Sequence, residues 1–464
     1  MNFSGEYSEA NFDRLSEEEI EEKIENALQI IEDGSIFLAL NNIEETLQLC
    51  IDYEYPDEGI KIANAVLETI TYNSDFWQYK GTLHNLIGEY EEALLALEKS
   101  LELNSYDTET LINYAIALEA LGNLNEASET LEKAMGIEPT NIDVLLSLAL
   151  IYGKTGRSAK AVELLQKVIE LDNDNTEAWY ELAFSYENIQ MLNESLEAYS
   201  KYIDLEPESY YGWYNKGIVL IQMGKFDEAI EHFEFAVLLN ETFQSAYFNM
   251  GICHLTLGKY NDSVTDFKKA VELDEEDEFA WFYLGKSYYG KDDYANAVIY
   301  FSKAIELSSD YLEAYLARGK AYEKLGERNS ALLDFNRVVL LSLSEQSESD
   351  ENTEIDFNSL FEIQDNFSSD QNYKVTLQNI DKLIFTSNSE DVLELLTMLE
   401  KKFPGDAQIL LRKAFLYFEY GQYEMGISSF RIAITKDKKL QNKLRRDFSG
   451  LLDSGILKEL IEGK

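Results

Sequence analysis

Apolar residues at Trp179, Leu182, Ala183 and Tyr186 follow the i, i+3, i+4, i+7 spacing of one helix face. That stripe recurs along the chain. The four tryptophans, Trp77, Trp179, Trp213 and Trp281, are separated by 102, 34 and 68 residues, all multiples of 34. With Trp77 as position 4 of a 34-residue frame, units open at Ser74, Thr108, Ile142, Thr176, Tyr210, Gln244, Glu278 and Leu312. Position 8 is always small, from Gly81 and Ala115 to Gly285 and Gly319. Position 20 is Ala or Ser, and position 24 is large, from Leu97 through Tyr199 to Phe335. Position 15 is glycine except for Gln190 and Asp292.

Each choice has a physical reason. Small residues at 8 and 20 let two helices of one unit approach closely, and the large residue at 24 fills the space beside them. Glycine at 15 ends the first helix where the backbone turns left-handed. Pro139 and Pro207, at position 32, stop the second helix. The frame predicts an all-α stack of antiparallel helix pairs.

WYELAFSY at 179–186 with Ser195, Tyr199 and Pro207, and WFYLGKSY at 281–288 with Ala297 and Phe301, resemble the tetratricopeptide repeat (TPR) pattern. The resemblance covers 74–345 as eight units in phase. It implies an α-α superhelix, a right-handed solenoid whose concave face comes mainly from the first helices. It also implies a surface that binds other proteins rather than an active site.

The flanks are less regular. Residues 1–39 are acidic, and Ser16-x-x-Glu19 is a capping box opening one helix. Residues 40–73 fit a degenerate repeat turning at Tyr55-Pro56. Residues 346–372 have no Lys or Arg but eight acidic residues, and read as a flexible insertion that also carries Ile355, Phe357, Leu360 and Phe361. Two further units fit at 373–436. Residues 437–464 read as a C-terminal capping helix.

Charge narrows the partners. The net charge of −48 argues against nucleic acid, whose binding needs Lys and Arg, and against anionic membranes. No stretch is long and apolar enough for membrane insertion. Two cysteines, Cys50 and Cys253, fit a reducing, cytoplasmic setting. His84, His232 and His254 form no metal or catalytic constellation at the level of spacing. No cofactor, metal or catalytic residue is expected.

In the TPR family the concave face is built from positions 2, 5, 6, 9, 12 and 13. The resemblance therefore assigns partner contact to Tyr180 and Phe184, then to Tyr211, Tyr214, Asn215 and Ile218. It continues with Phe248, Asn249 and Ile252, and with Phe279, Phe282 and Lys286. The units opening at 210, 244 and 278 hold no acidic residue at these positions, an apolar and aromatic trough in an acidic chain. Asn215 and Asn249 are suited to hydrogen-bond an extended backbone. The family's clamp for acidic C-termini lacks its flanking charges here. The expected role is a non-catalytic scaffold holding a peptide segment or amphipathic helix, with basic residues flanking it. The alternative is a self-associating or autoinhibited protein whose 346–372 segment fills its own or a neighbour's groove. Tyr or Phe at 5 and Asn at 6 are also common family residues without a dedicated ligand. The oligomeric state is not specified by the sequence.

Overall fold

The computed structural model describes residues 15–344 and 389–439, with Leu377, Ile380 and Asn442 besides. The 346–372 insertion and nearly all of the expected capping helix lie outside the described residues. Among the described residues there are 22 α-helices, a short 3-10 turn at Ile36–Leu38 and no strand. The fold is all-α, built of stacked helix pairs, and divides into two compact units meeting at Met223 and Gly224.

The N-terminal unit opens with α1 (Glu17–Glu32), whose first turn is fixed by the expected capping box. Glu19 N–H donates to Ser16 Oγ, 3.3 Å, and Ser16 N–H donates to Glu19 Oε2, 2.8 Å. Helices α2 (Leu40–Asp52) and α3 (Pro56–Thr69) follow, with Pro56 in the first turn, where no N–H is needed. Then come α4 (Ser74–Leu86), α5 (Tyr90–Leu103), α6 (Thr108–Ala120), α7 (Leu124–Ile137), α8 (Ile142–Lys154), α9 (Ser158–Leu171), α10 (Thr176–Asn188), α11 (Leu192–Leu205) and α12 (Tyr210–Gln222). From α4 onward, first helices of 13 residues alternate with second helices of 14. Connections this short leave successive packed helices antiparallel.

The C-terminal unit continues with α13 (Phe226–Leu239), α14 (Gln244–Thr256), α15 (Tyr260–Leu273), α16 (Glu278–Gly290), α17 (Tyr294–Leu307), α18 (Leu312–Leu325) and α19 (Arg328–Ser344). After the undescribed stretch it resumes with α20 (Ser389–Lys402), α21 (Ala407–Glu419) and α22 (Tyr423–Lys436).

Packing inside each pair follows the small-against-large rule. A Cβ added to Gly251 would lie 2.8 Å from the Phe267 ring, and one added to Gly285 would lie 2.6 Å from Phe301. Position 24 is fully buried throughout, including Leu97, Tyr199, Phe267 and Phe335. The serines at position 20 fit because Ser195 donates to Ala183 O (2.9 Å) and Ser263 to Gly251 O (3.0 Å), satisfying their hydroxyls within the pair.

The four tryptophans make one identical contact. Each indole N–H donates to the carbonyl six residues earlier: Trp77 to Thr71 (3.1 Å), Trp179 to Asn173 (2.8 Å), Trp213 to Pro207 (3.1 Å) and Trp281 to Glu275 (2.9 Å). Tyr315, at the same position, donates its hydroxyl to Ser309 O, 3.3 Å. In these five units position 4 ties the first helix to the turn that delivers it, whereas Leu111 and Leu145 at that position are buried instead. Asn73, Asp107, Asn141, Asn175 and Asp277 end those turns as N-caps, accepting from backbone N–H groups of the helix they open.

The last pair departs from this scheme. Helix α21 buries every residue from Ile409 to Phe418, including Arg412 and Lys413. One of its long faces is packed by α19, where Asn336 Nδ2 donates to Leu411 O across a buried contact of 3.2 Å. Leu411, Phe415 and Phe418 take positions 5, 9 and 12 of their unit, so the face that the repeat frame assigns to partners is here apolar and covered from within the chain.

The helix-ending residue is left-handed in every regular unit, with φ of 80° at Gly122, and it stays so where glycine is missing, with φ of 62° at Gln190 and 60° at Asp292. Gln190→Gly is therefore expected to stabilise by about 0.5–1 kcal/mol, and Gly122→Ala to destabilise by about 1–2 kcal/mol although a Cβ there meets nothing within 4 Å. Urea unfolding of the two variants checks this. Shifts of the same sign would refute the backbone-strain explanation.

Candidate functional site

In the N-terminal unit polar contacts join the first helices of successive repeats between α4 and α6, between α6 and α8, and between α10 and α12. Asn85 Nδ2 donates to Asn113 O (2.9 Å), Lys154 pairs with Glu119, Asn215 Nδ2 donates to the Tyr180 hydroxyl (2.8 Å), and Gln222 Nε2 donates to Glu187 Oε1 (2.5 Å). Tyr180 is half-buried, edge-on to Tyr199 and Tyr202 at 5.9 and 5.2 Å. Phe184 and Tyr211 project from this face, 45% and 47% exposed. Tyr211 packs on Tyr210 with ring centroids 4.2 Å apart. Tyr214, Asn215 and Ile218 are half-buried along α12.

Carboxylates crowd the same face of α10. Burial, with the neighbouring Glu177 carboxylate, pushes Glu181 up to about 7, and the Lys154 ammonium offsets part of that. Burial and Asp143 raise Glu177. Burial raises Glu187, against the pull of the Gln222 amide. Sequence reasoning placed Glu177, Glu181 and Glu187 on this face but gave them no role. Their signal is three acids at positions 2, 6 and 12 of one unit.

In the C-terminal unit, α14 and α16 bring together rings from successive repeats. Phe248 lies edge-on to Phe267 and Tyr283 at 5.5 and 5.6 Å. Phe279 is 52% exposed and packs edge-on to Tyr311 at 5.5 Å. Ile252 is half-buried between them in register. The exposed Lys286 holds its ammonium 4.7 Å from the Tyr283 ring centroid and 5.6 Å from that of Phe282.

Two details differ from the sequence-based expectation. Phe282 is only 8% exposed, held between Phe301 and Tyr311 at 5.7 and 5.0 Å. Tyr311 precedes α18, where five other units carry an Asn or Asp cap, and its ring folds over Phe282 and turns it into a core residue. The two asparagines are also engaged internally: Asn215 on Tyr180, and Asn249 Nδ2 on Ser245 O of its own helix at 3.0 Å. Tyr283, Lys320 and Lys324 take positions 6, 9 and 13 of their units on the same face.

His84 pairs with Glu89 at 2.7 Å and His254 with the buried Asp266 at 2.6 Å. Burial pushes both free thiols, Cys50 and Cys253, up to about 12. Among the described residues no group of three His, Cys, Asp or Glu is placed to hold a metal. A cleft of about 810 Å³ lies elsewhere, lined by Trp179, Leu182, Tyr186 and residues of α9 and α11, and shares no residue with the expected contact set.

Sequence profiles described as tetratricopeptide repeat match residues 88–151, 129–183, 176–209, 210–243, 245–277, 278–311 and 312–344. Together they span over half of the chain, and the matches at 176, 210, 278 and 312 begin where first helices begin. The chain belongs to the tetratricopeptide repeat family. No curated protein matches it. Among solved structures, MamA is 28% identical over 35% of this chain and 95% of its own, with a TM-score of 0.34. YrrB, described as a TPR protein with an unusual peptide-binding site, is 24% identical over 40% of this chain and 96% of its own, TM-score 0.36. A tetratricopeptide repeat protein from Parabacteroides merdae ATCC 43184 is 22% identical over 52% of this chain and 94% of its own, TM-score 0.40. No helix among the described residues is long and apolar enough to cross a membrane.

The raised Glu181 carboxyl has a signed consequence. Its ordinary value is 4.5, so between there and about 7 the TPR fold keeps a proton that the unfolded chain has released. This group's contribution is complete below the unfolded value and is lost as pH rises through the folded one. Glu181→Gln is expected to leave stability near unchanged at about pH 4 and to raise it by about 1–3 kcal/mol at about pH 8. Urea unfolding at both values checks this, and equal effects at the two would rule out the buried proton.

Proposed function

We propose that this TPR protein is a non-catalytic scaffold that holds a peptide segment or amphipathic helix of another protein on the face formed by its first helices. The observation that carries this reading is the exposure of Phe184, Tyr211 and Phe279 on that face of a chain whose net charge is −48. Solvent-facing aromatic rings at regular register positions supply the desolvated anchors that dominate protein interfaces. On α10 the Glu177, Glu181 and Glu187 carboxylates support basic residues flanking the bound segment in the N-terminal unit. The net negative charge supports a protein rather than a nucleic acid as the partner. Two buried, unpaired cysteines support a reducing compartment, and we place the protein in the cytoplasm.

Phe184→Ser with Phe279→Ser tests the reading, one substitution in each unit. Both side chains are about half exposed, so the double variant should lose about 1–3 kcal/mol of stability and still fold, which circular dichroism checks. Affinity capture quantified by mass spectrometry should then lose its specific partners about tenfold or more. Undiminished capture by a folded variant would count against the proposal.

A second reading, in which the 346–372 segment fills the protein's own groove or a neighbour's, draws support from α21, whose corresponding face is covered by α19 of the same chain. Removal of 346–372 should then tighten capture of partners or change the mass seen by light scattering. If neither moves, this second reading is rejected.

A further inference from the structure

The units opening at Thr176 and Glu278 carry the same three residue types at positions 4, 7 and 11: Trp179, Leu182 and Tyr186 in one, Trp281, Leu284 and Tyr288 in the other. They differ at position 23, on the second helix. In the later unit it is Tyr300, whose ring stacks on Trp281 at 6.0 Å and on Tyr288 at 5.0 Å. The Lys268 ammonium lies 5.8 Å from the Tyr288 ring centroid. In the earlier unit position 23 is Ala198, and the counterpart of Lys268 is Gln166, whose amide donates to the Tyr186 hydroxyl at 2.8 Å. The cleft of about 810 Å³ opens here, lined by Trp179, Tyr186, Ala198 and Gln166. Pockets that enclose ligands run to about 300–1,000 Å³.

Other units close the same place from within the chain. Where position 23 is Asp266 or Asp334, it pairs across its unit with His254 or Arg318. A smaller cleft of about 440 Å³ opens at Ala96, position 23 of the unit at Ser74, but there Lys80 holds its ammonium 5.5 Å from the Trp77 ring. Among the described residues no ring stacks on Trp179 and no cation lies over it. Charge then sets the occupant. The rim of the larger cleft carries Glu170, Glu194, Glu197 and Asp204 against one base, Lys201, which stands 3.7 Å from Asp204. Around Tyr300 the residues corresponding to Glu194, Glu197 and Asp204 are Asn296, Ile299 and Leu307, none of them acidic.

We propose that the cleft between α9, α10 and α11 takes an arginine side chain from a basic segment of a partner protein, its guanidinium stacked on the Trp179 indole and facing the Glu194 and Glu197 carboxylates. A guanidinium is flat, as the Tyr300 ring is, and cationic, as the acidic rim requires. A lysine ammonium lacks the flat face, and an uncharged ring leaves the rim uncompensated. A second copy of this chain, at a net charge of −48, is repelled. The cleft shares no residue with the first-helix contact set, so this is a second site that goes beyond the scaffold reading and does not rest on it.

The test pans phage-displayed random dodecapeptides on the full-length protein after depletion on Ala198→Tyr, which restores the ring of the later unit. Glu194→Gln/Glu197→Gln, at two exposed positions, is a second variant that removes charge without touching the packing. Circular dichroism checks that each variant folds. The peptides that remain are expected to contain arginine. Fluorescein-labelled synthetic copies should bind Ala198→Tyr and Glu194→Gln/Glu197→Gln about tenfold or more weaker. They should also weaken when their arginine is replaced by lysine, and should bind Phe184→Ser/Phe279→Ser unchanged. Peptides without arginine, or peptides whose binding survives its replacement by alanine, overturn the proposal. So does the recovery of no peptide that both cleft variants bind more weakly than the wild type. Loss of binding on Phe184→Ser/Phe279→Ser alone would put the peptides on the first-helix face, which overturns the cleft site and leaves the scaffold reading standing.

Discussion

In the eight regular units each helix pair depends on the close approach of a small residue at position 8 to a large one at position 24. At Gly251 and Gly285 the facing ring stands where a methyl group would sit, so the pair has one packing distance and little tolerance on either side. Constant packing distance is what lets constant helix lengths work. Thirteen- and fourteen-residue helices bring the four tryptophans at position 4 back to the same contact. The repeated indole-to-carbonyl bond follows from that regularity and also fixes the angle at which each new helix enters.

The fold was legible because its rules are local and repeated. Trp77, Trp179, Trp213 and Trp281 reveal the period, the glycines at position 15 mark where first helices stop, and Ser16-x-x-Glu19 marks where α1 starts. Gln190 and Asp292 show the limit of residue preference: the backbone geometry is set by the packed pair, and the side chain accepts it. The contact face was legible only in outline. The register assigns positions to it, but whether a ring is open or covered depends on what the next unit folds over it. Tyr311 in a capping position, where Asn or Asp is usual, was the available sign that Phe282 would be enclosed. The engagement of Asn215 by Tyr180 was not readable, since it joins side chains 35 residues apart through a geometry that only the stacked helices create.

Charge is distributed unevenly along the first helices, and this matters more for recognition than the net value. On α10, burial, with the Glu177 carboxylate beside it, raises the Glu181 carboxyl to about 7. On α16, a lone ammonium lies on aromatic rings. The raised Glu181 carboxyl costs stability as pH rises above its unfolded value, whereas the Lys286 ammonium gains a cation–π contact. A surface with such sites selects partners by charge pattern, whereas the apolar rings around them accept many shapes.

The polar contacts that link Asn85 to Asn113, Lys154 to Glu119 and Gln222 to Glu187 have a mechanical meaning. None of these side chains is fully buried, whereas the small-against-large contact within a pair is closed to any larger group. Under tension or on loading, the N-terminal array should adjust first at these links, along the side lined by first helices, while the apolar core shared between repeats stays closed. Each pair would stay rigid while the stack behaves as a soft spring, its curvature set link by link by whatever it carries.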